Sequence, residues 1–238
     1  MLLARTVSVP DIDAGMRAGM YRLFSRYYAN VSATQFDEDL ASKLFAIVLE
    51  AAGELVGFTS ASVTEHCIDG EQLTVVFSGD TIVDQPHWGQ QALARAWLTE
   101  MGRLGRQTEP KRLIWFLIVK GHRTYRYLPA FALRYVPPSS DSVSHELTRL
   151  RDVLATEKFG REYDPSSGVV RFEHSRGQLK PECAEPSERE MRLPEVAYFL
   201  NANPGFRQGD ELACLTEITR DNMPPLARRW FDEGYNGG

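Results

Sequence analysis

Leu73-Thr-Val-Val-Phe-Ser-Gly-Asp-Thr-Ile-Val83 leads into Asp84-Gln-Pro-His-Trp-Gly-Gln-Gln91, after which Leu93, Trp97, Met101 and Leu104 recur on one face of a 3.6-residue period. The spacing predicts a strand, a tight polar turn and a helix over 90–105. Such a junction turns unpaired backbone N–H groups and the positive end of a helix dipole outward, which suits a phosphate or another anion. Further along, Leu113-Ile-Trp-Phe-Leu-Ile-Val119 is apolar without a break and bounded by charge, the pattern of a central strand buried on both faces.

The segments before and after this pair are shorter and more regular. Leu2 to Val9 alternates as a first strand, and Met16, Met20, Leu23, Phe24 and Tyr27 share a helical face. Ser32-x-x-Gln35 is a capping-box pattern opening a second helix with Phe36, Leu40 and Leu44 in register. Leu44 to Leu49, the turn Ala51-Ala-Gly-Glu54, Leu55 to Val63 and a strand beginning at Leu73 after Asp69-Gly70 form a meander. After 113–119, Tyr125, Leu128, Ala132 and Tyr135 follow a helical pattern limited by Pro129. Pro137-Pro-Ser-Ser-Asp-Ser142 reads as a linker. Beyond it the pattern gives a helix over 144–158, a short strand over 169–174, a polar and poorly ordered loop over 177–190, a helix over 195–200, a strand over 212–218 and a helix over 225–231.

Composition narrows the function classes. The chain has 238 residues, 43% of them hydrophobic, and a formal net charge of -5. That balance is normal for a globular protein and unsuited to general nucleic-acid binding. The charge is uneven, however: between Arg103 and Arg134 eight basic residues stand against Glu109 alone. Such a segment is a solvated face or a site for a compact polyanion, a nucleotide or an acidic carrier protein. No window approaches the roughly 20 apolar residues of a spanning helix, and Met1-Leu-Leu-Ala-Arg-Thr lacks the features of a signal peptide. A cytoplasmic protein without a membrane partner is expected. Cys67, Cys183 and Cys214 are far apart and in no C-x-x-C pair, so neither a disulfide framework nor a metal site is expected.

The order strand, two helices, three-strand meander, helix, strand, helix, with late strands completing the sheet, resembles the GNAT superfamily of acyl-CoA-dependent N-acyltransferases over residues 1–136. Phe45-Ala-Ile-Val-Leu-Glu-Ala-Ala-Gly-Glu-Leu-Val-Gly-Phe58 looks like that family's second and third strands. Asp80-Thr-Ile-Val-Asp-Gln-Pro-His-Trp-Gly-Gln-Gln-Ala-Leu93 looks like the end of its fourth strand and its pyrophosphate loop. The resemblance implies an α/β fold, a central mixed sheet flanked by helices, as an acyltransferase core over 1–136. Residues 137–238 then form a C-terminal extension that completes the sheet and shapes the acceptor site. It also implies a coenzyme A thioester, or one on an acyl carrier protein, as donor and a small-molecule amine as acceptor. The pantetheine arm would lie where the fourth and fifth strands splay apart, and Ile82, Val83, Trp88, Gly89, Gln90 and Gln91 would contact the cofactor. The family's loop carries glutamine or arginine, two residues, glycine, one residue, then glycine or alanine. Gly89 fits only with Pro86 leading and Gln91 last, whereas a frame led by His87 gains Ala92 and puts Gln90 where glycine belongs.

Amine acylation by a thioester requires a base for the ammonium proton, donors that polarise the thioester carbonyl, and an acid for the leaving thiolate. By resemblance the acid is a tyrosine near the start of the helix after the fifth strand, here Tyr125 or Tyr127, with Tyr125 preferred; the alternative for each is a packed aromatic ring. His122 is a candidate base or an exposed loop residue. Asp80 is a candidate base acting through water or part of a Ser-Gly-Asp turn or bulge. Trp88 stacks on a cofactor or staples the helix start, and Gln90 and Gln91 donate to phosphate or serve as first-turn residues. A non-catalytic ligand-binding or scaffolding protein on the same fold is the alternative function.

Overall fold

The computed structural model describes residues 2–139 and 144–237. In chain order the elements are β1 (Leu2–Ser8), α1 (Ala14–Tyr27), β2 (Tyr28–Ala29), α2 (Ala33–Ala41), β3 (Phe45–Ala51), β4 (Glu54–Ile68), β5 (Glu71–Val83), α3 (Ala92–Thr108), β6 (Arg112–Val119) and the short helices α4 (His122–Tyr125) and α5 (Tyr127–Phe131). They continue as β7 (Tyr135–Val136), α6 (His145–Phe159), β8 (Tyr163–Asp164), β9 (Val169–Val170), β10 (Gln178–Leu179), α7 (Pro181–Ala184), α8 (Pro194–Ala202), β11 (Glu211–Glu217) and α9 (Pro225–Tyr235). The chain divides into two compact units, Met1–Arg26 with Ser32–Trp115 and Ile218–Gly238, and Tyr27–Val31 with Phe116–Glu217.

The first unit holds the sheet order β1, β3, β4, β5, β6. The first four strands are antiparallel in sequence, Leu2 facing Ala51, Phe45 facing Ala61 and Gly57 facing Val83. At β6 the direction changes: Arg112 reaches Glu71, and Trp115 donates its indole N–H to the Ser78 hydroxyl at 2.9 Å, so both strands ascend together. A parallel neighbour on an antiparallel meander makes the sheet mixed, as the resemblance implies. Phe45 to Leu49 and Leu113 to Leu117 are almost wholly buried, which is why their apolar runs do not alternate. Ser32 caps α2 by accepting from the Gln35 amide at 3.1 Å, and Phe36 and Leu40 turn inward. Leu44 departs from that helical register. The helix ends at Ala41, the Leu44 amide donates to the Ala61 carbonyl, and its side chain faces solvent.

On α3 the residues Leu93, Trp97, Met101 and Leu104 all point inward, joined by Leu98 and Gly102. The helix α9 lies against it at very short range. A Cβ added to Gly102 would stand 2.0 Å from the Phe231 carbonyl, and one added to Gly234 would stand 1.8 Å from that of Thr99. The Thr99 hydroxyl donates to the Trp230 carbonyl across the same seam.

In the second unit β11 lies between β9 and the end of β6, and β9 pairs with β8. Tyr135 belongs to β7 and not to a helix. Its partner is Thr216, whose hydroxyl donates to the Arg134 carbonyl at 2.7 Å. Pro129 supplies no amide donor and Pro137-Pro138 follow closely, so sheet pairing takes over after Phe131. The strand expected over 169–174 shortens to Val169–Val170. The polar stretch 177–190 is more structured than its composition suggests: Gln178 and Leu179 pair with Ala29 and Tyr28, and Pro181–Ala184 is helical. Of the linker expected over 137–142, positions 140–142 lie outside the described residues.

Candidate active site

In the first unit, β5 carries a bulge where the sequence places Ser78-Gly-Asp80. Thr81 faces Thr59 and Ser78 faces Ala61, so Gly79 and Asp80 together oppose Ser60. The Thr59 and Thr81 hydroxyls share a hydrogen bond of 2.8 Å that fixes the register just beyond it. Glycine is required at 79, because a Cβ there would meet the Lys43 side chain at 2.6 Å and the Ser60 hydroxyl at 2.9 Å. Lys43 is buried under the bulge and held by the Asp39 carboxylate at 2.7 Å, a support that sequence reading missed.

Past the bulge, Ile82 is buried and the Val83 carbonyl accepts the Trp88 indole N–H at 2.6 Å. Trp88 therefore staples the turn to the end of β5. Asp84 is anchored twice, by its amide to the Val56 carbonyl and by its carboxylate to Arg26 at 2.8 Å. A 3-10 turn over Gln85–His87 follows, and the Gln90 amide nitrogen approaches His87 Nδ1 at 3.4 Å. Gly89 has φ +79°, a left-handed conformation for which glycine is suited, and open space around its Cα. Gln91 stands at the start of α3 without a side-chain cap, and the first turn holds no acidic residue. The orphan N–H groups of a seventeen-residue helix are thus left for an external acceptor.

In the second unit, Gly121 begins α4 and turns His122 inward to 1% exposure. Its Nε2 meets the Glu190 carboxylate at 3.4 Å, while Nδ1 is buried without a hydrogen-bond partner among the described residues. Burial, reinforced by the charge of Arg123, pushes the imidazole below its ordinary value, against the pull of Glu190. Burial opposes ionisation of Glu190, yet the amide and hydroxyl of Ser187, with Arg123 and His122, hold its carboxyl down at about 2. Sequence reading missed Glu190. Its local signal is present, since Ser187-Glu-Arg-Glu190 forms a capping box: the Ser187 amide donates to Glu190 Oε2 at 2.9 Å and the Glu190 amide to Ser187 Oγ at 3.3 Å.

Tyr125 is fully buried, stacks on Tyr198 and donates its hydroxyl to the Pro137 carbonyl at 2.8 Å. Burial pushes its phenol far above the usual range. Tyr127 is half-buried beside Phe131, burial pushes its phenol up as well, and its hydroxyl has no hydrogen bond among the described residues. Tyr125, Tyr127 and His122 thus fall in the second unit. Asp80, Ile82, Val83, Trp88, Gly89, Gln90 and Gln91 fall in the first.

The basic segment is largely neutralised within each unit. Arg103 pairs with Glu100, Lys111 with Glu65 and Arg112 with Glu71; Lys120 pairs with Glu211, Arg123 with Glu190 and Arg126 with Glu195. Paired charges project little field beyond a few ångströms of screening solvent. Among the described residues no helix is long and apolar enough to cross a membrane.

No family model and no curated protein matches the chain. The solved structures similar to it include acetyltransferases. A conserved protein of unknown function from Enterococcus faecalis, a probable N-acyltransferase, aligns at 11% identity and TM-score 0.43 over 57% of this chain and 33% of its own. A GNAT family N-acetyltransferase from Escherichia coli, solved in complex with CoA, aligns at 18% identity and TM-score 0.40 over 56% and 69%. Glucosamine-6-phosphate N-acetyltransferase from Arabidopsis thaliana aligns at 16% identity and TM-score 0.39 over 60% and 95%. The chain spans a third of the Enterococcus protein's length, 33%. These are distant likenesses of fold, and the placement of each element rests on the residues described above.

Proposed function

We propose that the chain is an N-acyltransferase that moves an acyl group from coenzyme A to a small-molecule amine. The single observation that supports this most is the uncapped, acid-free start of α3, preceded by Gly89 in a left-handed conformation and by a bulged β5 with a parallel neighbour. The backbone donors of Gly89 and of Gln91 to Leu93 suit a pyrophosphate, the Gln90 amide being engaged by the His87 carbonyl, and the absence of any side chain at 89 allows close approach. In this reading Ile82 and Val83, at the end of β5, contact the pantetheine arm, and Gln90 and Gln91 offer amide donors to phosphate. Trp88 fixes the loop to β5 so that these donors are pre-aligned.

Bound acyl-CoA supplies the thioester whose acyl group is transferred. His122 accepts the acceptor's ammonium proton. Of the two tyrosines, Tyr127 is the better proton donor to the departing thiolate, because its hydroxyl is uncommitted whereas that of Tyr125 is engaged by Pro137. Asp80, in the bulge, orients water near the reacting carbonyl. In this reading residues 1–136 supply the cofactor side, and 137–238 shape the acceptor side by bringing Glu190 to His122.

Thermal unfolding with CoA, acetyl-CoA and longer acyl-CoAs tests the reading. A ligand at about 100 times its Kd contributes about 2.7 kcal/mol, a shift of several degrees in Tm. Ala92→Asp separates ligand from helix: a carboxylate in the first turn favours the helix dipole but repels phosphate. The variant is expected to keep or raise the Tm of the free protein while weakening CoA binding at least about tenfold, a change of about 1.4 kcal/mol. If no thioester raises the Tm of the wild type, acyl-CoA use is ruled out. Stabilisation without transfer to any amine would point to a non-catalytic binding protein.

A further inference from the structure

We infer that Glu190 is a positioning residue that fixes His122 as its Nε2–H tautomer, so that Nδ1 is the lone pair that takes the acceptor's proton. The second clause rests on the acyl-transfer reading, and the first does not. A neutral imidazole has one donor and one acceptor nitrogen, and what the first faces decides the role of the second. Nε2 faces a carboxylate oxygen at 3.4 Å, which accepts only. With the proton on Nε2 the contact is a charge-assisted hydrogen bond; with it on Nδ1, two lone pairs would face each other and a buried N–H would be left unbonded. The carboxylate is itself held in place, by the Ser187 amide at 2.9 Å, the Ser187 hydroxyl at 2.8 Å and Arg123 at 3.2 Å.

Nδ1 is therefore an acceptor, sealed from bulk solvent and unbonded among the described residues. Leaving such an atom unpaired is costly, and the cost is relieved when a donor arrives. An ammonium group is such a donor. As the proton passes, the amine N–H bond breaks and its electron pair stays on nitrogen as the nucleophilic lone pair. A new bond forms at Nδ1, and the resulting imidazolium stands against the ionised Glu190. The charges that bear on His122 are Arg123 on α4, Arg126 after it, Glu190 on its 3-10 turn and Glu185 after α7; Glu195 on α8 is engaged by Arg126.

Two readouts test this. A long-range ¹⁵N–¹H correlation spectrum of the free protein reports the tautomer, and the expected pattern is protonated Nε2 with bare Nδ1. Glu190→Gln keeps an acceptor carbonyl and is expected to retain that tautomer, while Glu190→Ala is expected to lose it. Initial rates of thiol release from acetyl-CoA with a panel of simple primary amines report the base. Glu190→Ala is expected to lower kcat 10- to 100-fold with little change in KM, and Glu190→Gln less. In both variants the acid limb of the kcat/KM profile moves to lower pH, because the charges of Arg123 and Arg126 are then countered only by Glu185. A purely structural role for Glu190 moves Tm and leaves that limb in place. A wild-type spectrum with the proton on Nδ1 overturns the proposal, as does an unchanged rate and acid limb in Glu190→Ala. If the wild type shows the Nε2–H tautomer but acylates no amine, the base role falls together with the acyl-transfer reading and the positioning role stands.

Discussion

Tyr125 and Tyr127 sit two positions apart on the same turn of chain, yet the structure gives their hydroxyls different tasks. Tyr125 donates to the Pro137 carbonyl in a fully buried aromatic cluster with Tyr135, Tyr198 and Phe199. Deleting that hydroxyl leaves the carbonyl buried and unpaired, so Tyr125→Phe is expected to cost about 1–3 kcal/mol of stability, read as a lower urea midpoint. Tyr127→Phe removes no hydrogen bond and is expected to leave the midpoint within about 0.5 kcal/mol. With acetyl-CoA and an accepted amine the order reverses, Tyr127→Phe losing more in kcat at matched folded fraction. Equal kcat in wild type and Tyr127→Phe would remove it as the proton donor. Sequence alone made both tyrosines candidates because the family's position was known only to within a helical turn. Which phenol is committed depends on Pro137, ten to twelve residues further on, and no local pattern encodes that.

Among elements, those with strong local periodicity were legible and those defined by distant partners were not. The strand at 113–119, the helix after the polar turn and the Ser32 cap follow from apolar spacing and one hydroxyl. The approach of Glu190 to His122 spans 68 residues of sequence, and the seam between α3 and α9 joins helices that have the stretch 116–217 between them in the chain. Glycine at 102 and 234 carries no such signal in the sequence, since a glycine on a helix reports only a weak propensity until its neighbour is known. The geometry makes those two positions decisive. Gly102→Ala and Gly234→Ala each push a methyl into a backbone carbonyl, so the helices have to separate; roughly 1–3 kcal/mol of overpacking is expected to outweigh the ~1 kcal/mol that alanine gains in helix propensity. Gly105→Ala is the internal control, because its Cβ would meet the movable Phe231 ring at 3.1 Å rather than backbone. Chemical denaturation of the three variants should rank Gly105→Ala as the mildest, and equal midpoints for all three would mean the seam is looser than its geometry implies.

At the scale of the molecule, the first unit draws its last helix from the far end of the chain. Residues 218–238 return to it after the whole of the second unit has been traversed, with the Ile218 amide donating to the Leu113 carbonyl at 2.8 Å and α9 lying along α3. Ala227, Trp230 and Phe231 are buried there. Two large aromatic side chains contribute about 1.5–3 kcal/mol each on burial, a substantial share of the roughly 5–15 kcal/mol that stabilises a typical domain. Their loss would also open the apolar face of α3, whose N-terminus carries the candidate cofactor loop. Deleting residues 218–238 is therefore expected to unfold or aggregate the first unit even though the deletion removes no residue of the proposed site, and CoA-dependent stabilisation should vanish with it. Phe231→Ala, which keeps the helix and removes one anchor, should lower stability by about 3–5 kcal/mol while preserving CoA binding at temperatures where the protein is folded. Far-UV circular dichroism with thermal unfolding distinguishes these outcomes: a truncated chain that melts cooperatively at the wild-type temperature would mean that α9 is an appendage, and that the fold of the cofactor loop does not depend on it.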